Sequence, residues 1–481
     1  MARENKLMAH KNKLFVDLDG TLINSDVLFE SFFSLLKLNF LYIFLVPYWI
    51  LKGKSYLKSK IASKTNIDVR LLPYNNDLLD YLKNEHKNGR ELILATASNK
   101  KFSEAIAKHL NIFSSVISSD ENNNLSGNKK LDAIKNMLTD NETFSYAGNE
   151  NIDLKIFKYA ESAIVVNADN SLLRKAEKLT EIEKNIPKKF STLNSVIKAM
   201  RLHQWVKNVL IFVPLFAAQL WYQLDSILLT TLAFVMFGLT ASSVYLLNDM
   251  LDLESDRRHP RKRNRPFASG KLSLATGVFL VILIPFITLP ISYFISIEFF
   301  IILVLYLILT LAYSFVLKSY VLIDAIMLAA LYTIRVIAGA GVIQVMPSFW
   351  LLAFSMFIFI SLALVKRCSE LYTLKEMNRL STEGRDYEVS DIPVLQSMGL
   401  ASGFTSVLVI ALFINSPEVI VRYSHPQLLW LMCPALLYWI SRVWLKTQRG
   451  EMHDDPIVFS IKDRGSQFVA FAMLIIVLAA I

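Results

Sequence analysis

Apolar residues are distributed very unevenly along this 481-residue chain, and this distribution limits the fold more than any other feature. From Val206 onward, apolar runs of about 17 to 24 residues recur, and each is long enough to cross the roughly 30 Å of hydrocarbon in a bilayer. Residues 1–200 instead carry charged side chains throughout. The sequence therefore predicts a soluble N-terminal part followed by an all-α, polytopic membrane part.

Nine membrane helices are predicted from these runs. They cover residues 206–224, 226–248, 272–294, 297–317, 321–343, 348–366, 394–415, 427–445 and 466–481. If the first span starts in the cytoplasm, the loops on that side hold nearly all of the loop Lys and Arg residues. The start of the chain is polar and shows no cleavable signal peptide. We therefore expect a multi-pass protein of the cell inner membrane with its N-terminal domain in the cytoplasm.

Composition argues against two other classes of protein. The formal net charge is +10, but the basic residues lie largely in loops between spans, which is typical of membrane topology rather than of nucleic-acid binding. Only two cysteines are present, Cys368 and Cys433, so a disulfide framework is excluded. Nothing in the sequence predicts an oligomeric state.

Two carboxylates follow the first apolar strand of the soluble part. Residues 14–16 are predicted to form a short buried strand that leads directly into Asp17, Asp19 and a glycine turn. Further strands, separated by helical stretches as in a parallel doubly wound sheet, are predicted at 92–95, 144–147 and 163–166. Since open α/β sheets place their sites at the carboxyl ends of strands, Asp17 and Asp19 are candidate site residues.

The motif Asp17-Leu-Asp19-Gly-Thr resembles the first motif of the haloacid dehalogenase (HAD) phosphatase superfamily, and the resemblance covers roughly residues 11–180. It implies a Rossmann-like α/β domain with a helical cap. By this resemblance Asp17 is the nucleophile and Asp19 the general acid and base, roles that suit carboxylates. Thr96 matches the family's phosphate-binding hydroxyl, and Lys130 matches its phosphate-neutralising lysine.

The acidic motif of this superfamily is altered here. It usually reads Gly-Asp-x-x-x-Asp, whereas this chain has Gly148-Asn149-Glu-Asn-Ile-Asp153. The resemblance implies a magnesium site made by Asp17, Asp19, Asn149 and Asp153, but Asn149 offers only an uncharged amide oxygen. An active phosphatase and an inactive regulatory module both remain open at this point.

The predicted domains are a HAD-like domain over 1–180 with a cap at about 24–90, a linker or amphipathic segment over 181–200, and a membrane domain over 201–481. Within the cap, residues 40–51 form a very apolar run that is too short, and too interrupted by proline, to predict a span. A cap helix that touches the bilayer and a core helix are both consistent with this run.

Carboxylates also follow the second predicted span, in the stretch from Asn248 to Asp256. At 100° per residue, Asp249, Asp252 and Asp256 share one helical face. Three like charges there favour a divalent cation, and oxygen ligands favour magnesium. The alternative is a solvated helix end whose carboxylates pair with the arginines and the lysine at 257–262.

This motif resembles the first aspartate-rich motif of the UbiA prenyltransferase superfamily, over roughly residues 195–481, which implies nine membrane helices. Within that superfamily, further motifs resemble those of decaprenyl-phosphate phosphoribosyltransferases. The motifs that carry this second resemblance include Arg201-Leu-His-Gln204-Trp205-Val-Lys207-Asn208, Tyr313-Ser-Phe-Val-Leu-Lys318 with Asp324, Arg335, Lys366-Arg367 with Glu370, and Asp454-Asp455-Pro456.

The resemblance implies that Asn248, Asp249, Asp252 and Asp256 bind magnesium, and that Asp454 and Asp455 complete the metal site. Implied substrate-binding residues are Arg201, Gln204, Lys207, Asn208, Arg265, Tyr313, Lys318, Asp324, Arg335, Lys366 and Arg367. The lysines at positions 207, 318 and 366 lie at span ends, where topology alone also explains basic residues. Arg335 lies inside a span and is expected to face a phosphate, a carboxylate or a cavity.

The resulting expectation is a bifunctional, magnesium-dependent enzyme of cell envelope biosynthesis. Its membrane part transfers phosphoribose from phosphoribosyl pyrophosphate to a polyprenyl phosphate, and its soluble part removes the 5-phosphate. One alternative is prenyl transfer from a polyprenyl diphosphate to an aromatic acceptor, since both reactions release a magnesium-bound pyrophosphate. The other is a transferase with an inactive HAD-like regulatory module.

Overall fold

The computed structural model describes residues 12–121, 123–139, 142–378, 385–417, 419, 423–452 and 455–481. The chain divides into two compact units. The first consists of Met1–Met200 together with Tyr245–Ile282, and the second of Arg201–Val244 together with Leu283–Ile481.

A six-stranded, fully parallel sheet forms the centre of the first unit, in the order β3-β2-β1-β4-β5-β6. Its strands are β1 (Lys13–Val16), β2 (Leu92–Asn99), β3 (Ser115–Ser119), β4 (Phe144–Gly148), β5 (Ser162–Val166) and β6 (Glu181–Ile186). The predicted parallel sheet is confirmed. The strand order reverses between β1 and β4, and ligands of doubly wound sheets bind at the carboxyl ends of strands beside such a reversal.

Nine α-helices belong to the N-terminal part of the first unit. They are α1 (Val27–Leu38), α2 (Val46–Leu51), α3 (Lys54–Lys64), α4 (Asn76–Lys87), α5 (Lys100–Leu110), α6 (Asn128–Lys135), α7 (Leu154–Phe157), α8 (Asn170–Glu177) and α9 (Thr192–Ala199). Successive residues of β1 face opposite sides of the sheet. Leu14 and Val16 pack in one apolar layer with α4 and α5, and Phe15 packs in the other with α6 and α7. The sheet is therefore buried on both faces.

Two strands were not anticipated from the sequence. β3 is mostly serine, and β6 carries three charged residues, Glu181, Glu183 and Lys184, as is typical of an edge strand. The segment 181–200, expected to be a linker, therefore contains the edge strand β6 and the helix α9. Ile186 is 4% exposed, so this strand contributes to the core.

Helices of the predicted cap, about 24–90, pack in two ways. Helices α1, α2 and α3 surround a separate apolar cluster of Leu35, Trp49 and Ile61. Helix α4 instead packs its Leu78 and Leu82 on the sheet. The apolar spacing of α4 explains this placement, since its buried leucines lie on one helical face.

The remaining α-helices belong to the membrane part and to the segment that joins its first spans. They are α10 (Val213–Ala217), α11 (Leu224–Leu251), α12 (Leu253–Arg258), α13 (Leu274–Ile295), α14 (Ile297–Phe315), α15 (Ile323–Val342), α16 (Phe349–Glu376), α17 (Ile392–Ile414), α18 (Met432–Gln448), α19 (Pro456–Lys462) and α20 (Arg464–Ala480).

Seven helices in the described part of the chain are long and apolar enough to cross a membrane, and α19 with α20 forms an eighth candidate bent by 80°. The first predicted span, 206–224, corresponds to a shorter helical stretch, Leu202–Ala217, most of it 3-10 helix. The chain is therefore a multi-pass membrane protein, and the count of nine spans stays a prediction.

Glycines allow close helix packing in the second unit. A Cβ at Gly339 of α15 would collide with the Ile211 carbonyl, and one at Gly399 of α17 would collide with the Trp444 ring. Small residues at such contacts are typical of membrane helices, whose association depends on close van der Waals packing. Cys368 and Cys433 are buried free thiols.

Candidate active sites

The first candidate site lies at the carboxyl ends of β1 and β4. Asp17 follows β1, and its amide donates to the Ala147 carbonyl of β4 at 3.0 Å. The Lys130 ammonium donates to Asp17 Oδ1 at 2.8 Å and to the Tyr146 hydroxyl at 3.0 Å. Burial alone would lower the pKa of Lys130, but Asp17 and Asp153 outweigh burial and raise that pKa. The site thus pairs a buried carboxylate with a charged lysine.

Asp153 fixes the loop after β4. Its Oδ1 accepts from the Tyr146 hydroxyl at 3.1 Å, and its Oδ2 accepts from the amides of Asn149 and Glu150 at 3.0 and 2.9 Å. Burial raises the pKa of Asp153 to about 6. Asn149 Oδ1 accepts from the Thr21 hydroxyl at 3.0 Å. The altered acidic motif therefore lies beside the first motif.

Asp19 lies at the junction of the sheet and the cap. Its Oδ1 accepts from the Val27 amide at 2.8 Å, and its Oδ2 accepts from the Ser98 hydroxyl at 2.5 Å. Burial, together with the charge of Asp26, raises the pKa of Asp19 to about 7. A carboxyl group with such a pKa exchanges protons near neutral pH, as general acid and base catalysis requires.

Thr96 lies inside β2, fully buried, and its hydroxyl accepts from the Ser98 amide at 3.0 Å. Ser98 and Lys58 are site residues that sequence reasoning missed. The Lys58 ammonium donates to the Ala97 carbonyl at 2.6 Å and to Asn124 Oδ1 at 3.1 Å. A polar residue two positions after Thr96, on the same side of the strand, is the signal that identifies Ser98.

The aspartate segment, residues 248–256, forms the second candidate site. Arg265 Nη1 donates to Asp249 Oδ1 at 3.2 Å and to Asp256 Oδ2 at 2.7 Å. Asp249 and Asp256 are each 2% exposed. Burial raises the pKa of Asp256, although Arg265 opposes this effect. Two buried carboxylates thus converge on one cation, which offsets the repulsion between their charges.

Asp252 occupies a break in the helix. Helix α11 ends at Leu251, and Asp252, with φ −99° and ψ 16°, lies at the N-terminus of α12. Its amide donates to the carbonyl of the half-buried Asn248 at 3.0 Å. Asp252 Oδ1 lies 3.9 Å from the Lys37 ammonium of the cap. The negative charge of Asp252 also contributes to raising the pKa of Asp256.

The donor set of the aspartate segment fits a magnesium ion bound together with phosphate. Within the described ranges, no group of three or more His, Cys, Asp or Glu side chains is arranged to hold a metal. Magnesium commonly takes one or two protein carboxylates and completes its shell with water and substrate phosphates. Asp249 and Asp256 meet that requirement. Asp454 lies outside the described residues.

A buried ion pair in the second unit joins two predicted site residues. The Lys207 ammonium lies 2.5 Å from Asp455 Oδ2, with side chains 12% and 8% exposed. Asp455 also accepts from the amides of Ile457 and Val458, so it caps α19. Lys366 interacts electrostatically with both charges. The two lysines carry more positive charge than Asp455 neutralises, which favours binding of an anionic ligand.

Asn208 and Arg335 meet inside the second unit. Arg335 Nε donates to Asn208 Oδ1 at 2.9 Å, and the guanidinium lies 5.2 Å from the Phe237 ring centroid and 5.1 Å from that of Tyr306. Arg335 also donates to the Leu331 carbonyl. Asn208 is 1% exposed, and its Nδ2 has no hydrogen-bond acceptor in the described part of the chain. A buried amide donor without an acceptor is costly and indicates a ligand oxygen.

Three predicted binding residues form a buried charge network with one another instead. Arg367 Nε lies 2.5 Å from Asp324 Oδ2, and the Tyr313 hydroxyl donates to Asp324 Oδ1 at 2.7 Å. Asp324 is fully buried and Arg367 is 1% exposed. Glu370 pairs with Arg367 and, at 3.2 Å, with Arg385. The network connects α14, α15 and α16, and the substrate-binding role of its members stays a prediction.

The remaining predicted residues lie at chain turns. Arg201 has a left-handed backbone with φ 52°, and its carbonyl accepts from the Gln204 amide at 2.8 Å. Lys318 lies in a short 3-10 turn, Leu317–Ser319, after α14. These three side chains are half-buried.

The fold and these sites define a class: a polytopic membrane protein with buried carboxylates beyond a spanning helix and an α/β domain at its N-terminus. The chain belongs to the UbiA prenyltransferase family, whose model matches residues 209–475. Membership in this family makes it a membrane transferase.

Three relatives are informative. The chain is 36% identical to the uncharacterized protein y4nM of Sinorhizobium fredii over 95% of its own length and 89% of the relative. It is 34% identical to the nodulation protein NoeC of Azorhizobium caulinodans, over 56% of this chain and 87% of that protein. It is 35% identical to a decaprenyl-phosphate phosphoribosyltransferase of Mycobacterium tuberculosis, over 37% of this chain and 60% of that enzyme.

Proposed function

We propose that the membrane part of this chain transfers 5-phosphoribose from phosphoribosyl pyrophosphate to a polyprenyl phosphate, and that the N-terminal domain then removes the 5-phosphate. The observation that carries the transfer step is the buried pair of Asp249 and Asp256 around Arg265. The similarity to decaprenyl-phosphate phosphoribosyltransferases supports the choice of donor and acceptor.

In the transfer step, Asp249 and Asp256 would hold magnesium together with the pyrophosphate of the donor. Bound magnesium would supply charge neutralisation for the leaving group. Arg265 adds positive charge beside the same carboxylates. Within the second unit, we assign a separate phosphate-binding role to the Lys207 ammonium and to the Asn208 Nδ2, because both are buried donors and the Asn208 Nδ2 has no acceptor in the described residues.

In the second step, Asp17 attacks the 5-phosphate and displaces the ribose 5-oxygen, which Asp19 protonates. Asp19 then accepts a proton from the water that cleaves the aspartyl phosphate and releases inorganic phosphate. The Asp17 and Lys130 pair supports this assignment, because a buried ammonium neutralises the phosphoryl group beside the nucleophile. The hydrogen bond from Ser98 orients Asp19. The candidate magnesium ligands at this site are Asp17, Asp19, Asn149 and Asp153. Because their carboxylates form no metal-holding group in the described residues, the ion would bind together with the substrate phosphate.

This function implies a place in cell envelope biosynthesis, at the cytoplasmic face of the inner membrane. The donor is a soluble cytoplasmic nucleotide precursor, so both sites must be reached from that side. The basic loops of the membrane part support this orientation.

The main alternative is prenyl transfer to an aromatic acceptor, which the description of the family favours. The aspartate segment serves either reaction, since both release pyrophosphate. In a third candidate function, the N-terminal domain only regulates the transferase. Asn149, at the position where the superfamily motif has an acidic residue, favours this function.

One reaction series tests these proposals. Purified full-length protein is incubated with magnesium, polyprenyl phosphate and phosphoribosyl pyrophosphate labelled in the ribose. We expect label in the lipid fraction, and we expect Asp17→Asn to convert the product from the ribosyl to the phosphoribosyl lipid. The absence of labelled lipid would contradict the transfer step, and an unchanged product with Asp17→Asn would contradict the phosphatase step.

A further inference from the structure

The cap carries a continuous apolar surface. Within residues 38–51, nine large apolar side chains are exposed, among them Phe44 at 74%, Ile50 at 56% and Leu51 at 86%. The segment contains no charged residue. Apolar surface of this extent usually marks an interaction site, because exposing it to water costs roughly 25 cal/mol per Å².

This surface is folded rather than left over from an incomplete core. Residues Phe40–Phe44 form a 3-10 helix whose first turn is capped by Asn39 Oδ1, which accepts from the Leu41 amide at 2.9 Å. Trp49 of α2 is 5% exposed and packs with Leu35 and Ile61 in the cap's own core. The inward side of the segment therefore packs in the cap's core, and its outward side is apolar and exposed.

The apolar segment begins close to the end of a membrane helix of the same unit. Lys37, which directly precedes the segment, has its ammonium 3.9 Å from Asp252 Oδ1. Asp252 directly follows Leu251, the last residue of the spanning helix α11. The end of a spanning helix marks the boundary between hydrocarbon and headgroups. Residue 38 therefore lies near that boundary.

Basic and aromatic side chains flank the apolar segment. Lys52 and Lys54 follow it and are exposed, as is Lys64 at the end of α3. The Lys52 ammonium lies 4.8 Å from the Tyr48 ring centroid, and the Lys64 ammonium lies 5.3 Å from that of Tyr42. Lysine and tyrosine around an apolar tip are typical of segments that lie in the interface of an anionic bilayer.

We propose that residues 38–51 of the cap insert into the interfacial layer of the bilayer that the spanning helices cross. The partner is an anionic lipid surface. A second statement rests on the proposed phosphatase function. The insertion holds the Asp17 site at the membrane, so its substrates are phosphate groups carried by membrane lipids rather than soluble phosphate esters.

A depth measurement on the full-length protein tests the insertion. In nanodiscs containing anionic lipid, a bimane fluorophore is attached through Leu51→Cys, and the matched control carries it through Lys108→Cys, an exposed position on α5. The native cysteines are buried. We expect acyl-chain nitroxide lipids to quench the fluorophore at 51 and aqueous iodide to quench the one at 108.

Two results would overturn the insertion. If iodide quenches the fluorophore at 51 as strongly as at 108, the segment lies in water. If neither quencher reaches it, a protein surface such as a second copy of the chain covers it. This measurement needs no catalytic activity, so its failure differs from failure of the proposed function.

An activity measurement tests the choice of substrate. The double substitution Phe44→Ser and Leu51→Ser is expected to lower phosphate release from a phosphoribosyl lipid in nanodiscs about tenfold, while hydrolysis of soluble p-nitrophenyl phosphate stays unchanged. An equal loss on both substrates would overturn the lipid preference. If the unmodified protein hydrolyses neither substrate, the phosphatase function itself fails, and the quenching result alone decides the insertion.

Discussion

Glu30 and Arg257 lie 227 positions apart in the sequence and form a bidentate ion pair, with Nη1 to Oε2 at 3.0 Å and Nη2 to Oε1 at 2.5 Å. Their side chains are 4% and 8% exposed. Ser25 donates to Glu30, and Arg257 Nε donates to the Ala268 carbonyl at 2.9 Å. Glu30 belongs to the cap helix α1, and Arg257 directly follows Asp256. The pair thus connects the cap with the aspartate segment.

Glu30→Gln is expected to destabilise the first unit by about 3 kcal/mol, because it leaves the Arg257 guanidinium buried without a counter-charge. Thermal unfolding of the full-length protein in nanodiscs measures the effect. The control is an ion pair on the surface, Lys100 with Glu104, whose side chains are 66% and 56% exposed. Glu104→Gln is expected to change the stability by less than about 0.5 kcal/mol. Equal effects of the two substitutions would contradict the buried connection.

Asp249→Asn is expected to lower lipid-linked product formation by at least about a hundredfold, because it removes one of the two carboxylates proposed to hold magnesium. Glu254→Gln is the matched control. Glu254 lies on α12, between the aspartates in sequence, but its side chain is 51% exposed and pairs with Arg258. Chelation of magnesium with EDTA is expected to reproduce the loss. Comparable losses in both variants would argue against a specific metal site.

Asn208→Asp is expected to raise the KM for one of the two phosphate-bearing substrates at least about tenfold, because it removes the Nδ2 donor and adds a negative charge. The substitution keeps the oxygen that accepts from Arg335 Nε at 2.9 Å, so the melting temperature should change little. Steady-state kinetics and thermal unfolding are measured on the same preparation. A fall in stability with an unchanged KM would assign Asn208 a purely structural role.

Asn149→Asp is expected to lower the magnesium concentration needed for half-maximal phosphate release about tenfold, because it restores a charged ligand. The new side chain keeps an oxygen to accept from the Thr21 hydroxyl, now at 3.0 Å from Asn149 Oδ1. Phosphate release is measured against magnesium concentration. An unchanged requirement would contradict the role of position 149 in the metal site.

A fall in pH is expected to destabilise the first unit, because it protonates Glu183. Burial alone would raise the pKa of Glu183, but hydrogen bonds from Arg90, Ser162 and Tyr81 outweigh it and hold the pKa at about 2. Because this folded-state pKa lies below the ordinary value of 4.5, the stabilisation is complete above pH 4.5 and is lost as the pH falls through about 2.

The pKa difference corresponds to about 3 kcal/mol. Thermal unfolding between pH 6 and pH 2.5 measures this contribution. Glu183→Gln should be less stable than the unmodified protein at pH 6, and the two should approach each other in acid. A constant difference across this range would contradict the assignment.

Apolar patterning was sufficient to predict the parallel sheet and most membrane helices. Strand β1 and helix α11 are predominantly apolar segments, so their composition alone predicts them. The sequence did not predict β3 and β6, because few of their residues are apolar. They form strands because they pair with β2 and β5. The first predicted span has the composition of a membrane helix, yet it forms the short stretch Leu202–Ala217.

The sequence by itself determined the candidate site residues: the carboxylates after β1 and after α11 follow from residue type, spacing and family resemblance. Only the tertiary structure decided their partners. Lys130 meets Asp17 across 113 positions, and Glu30 meets Arg257 across 227. It also decided that residues 38–51 present their apolar side chains outward. Such relationships depend on side chains from distant segments that share one environment after folding, and spacing along the chain does not encode that proximity.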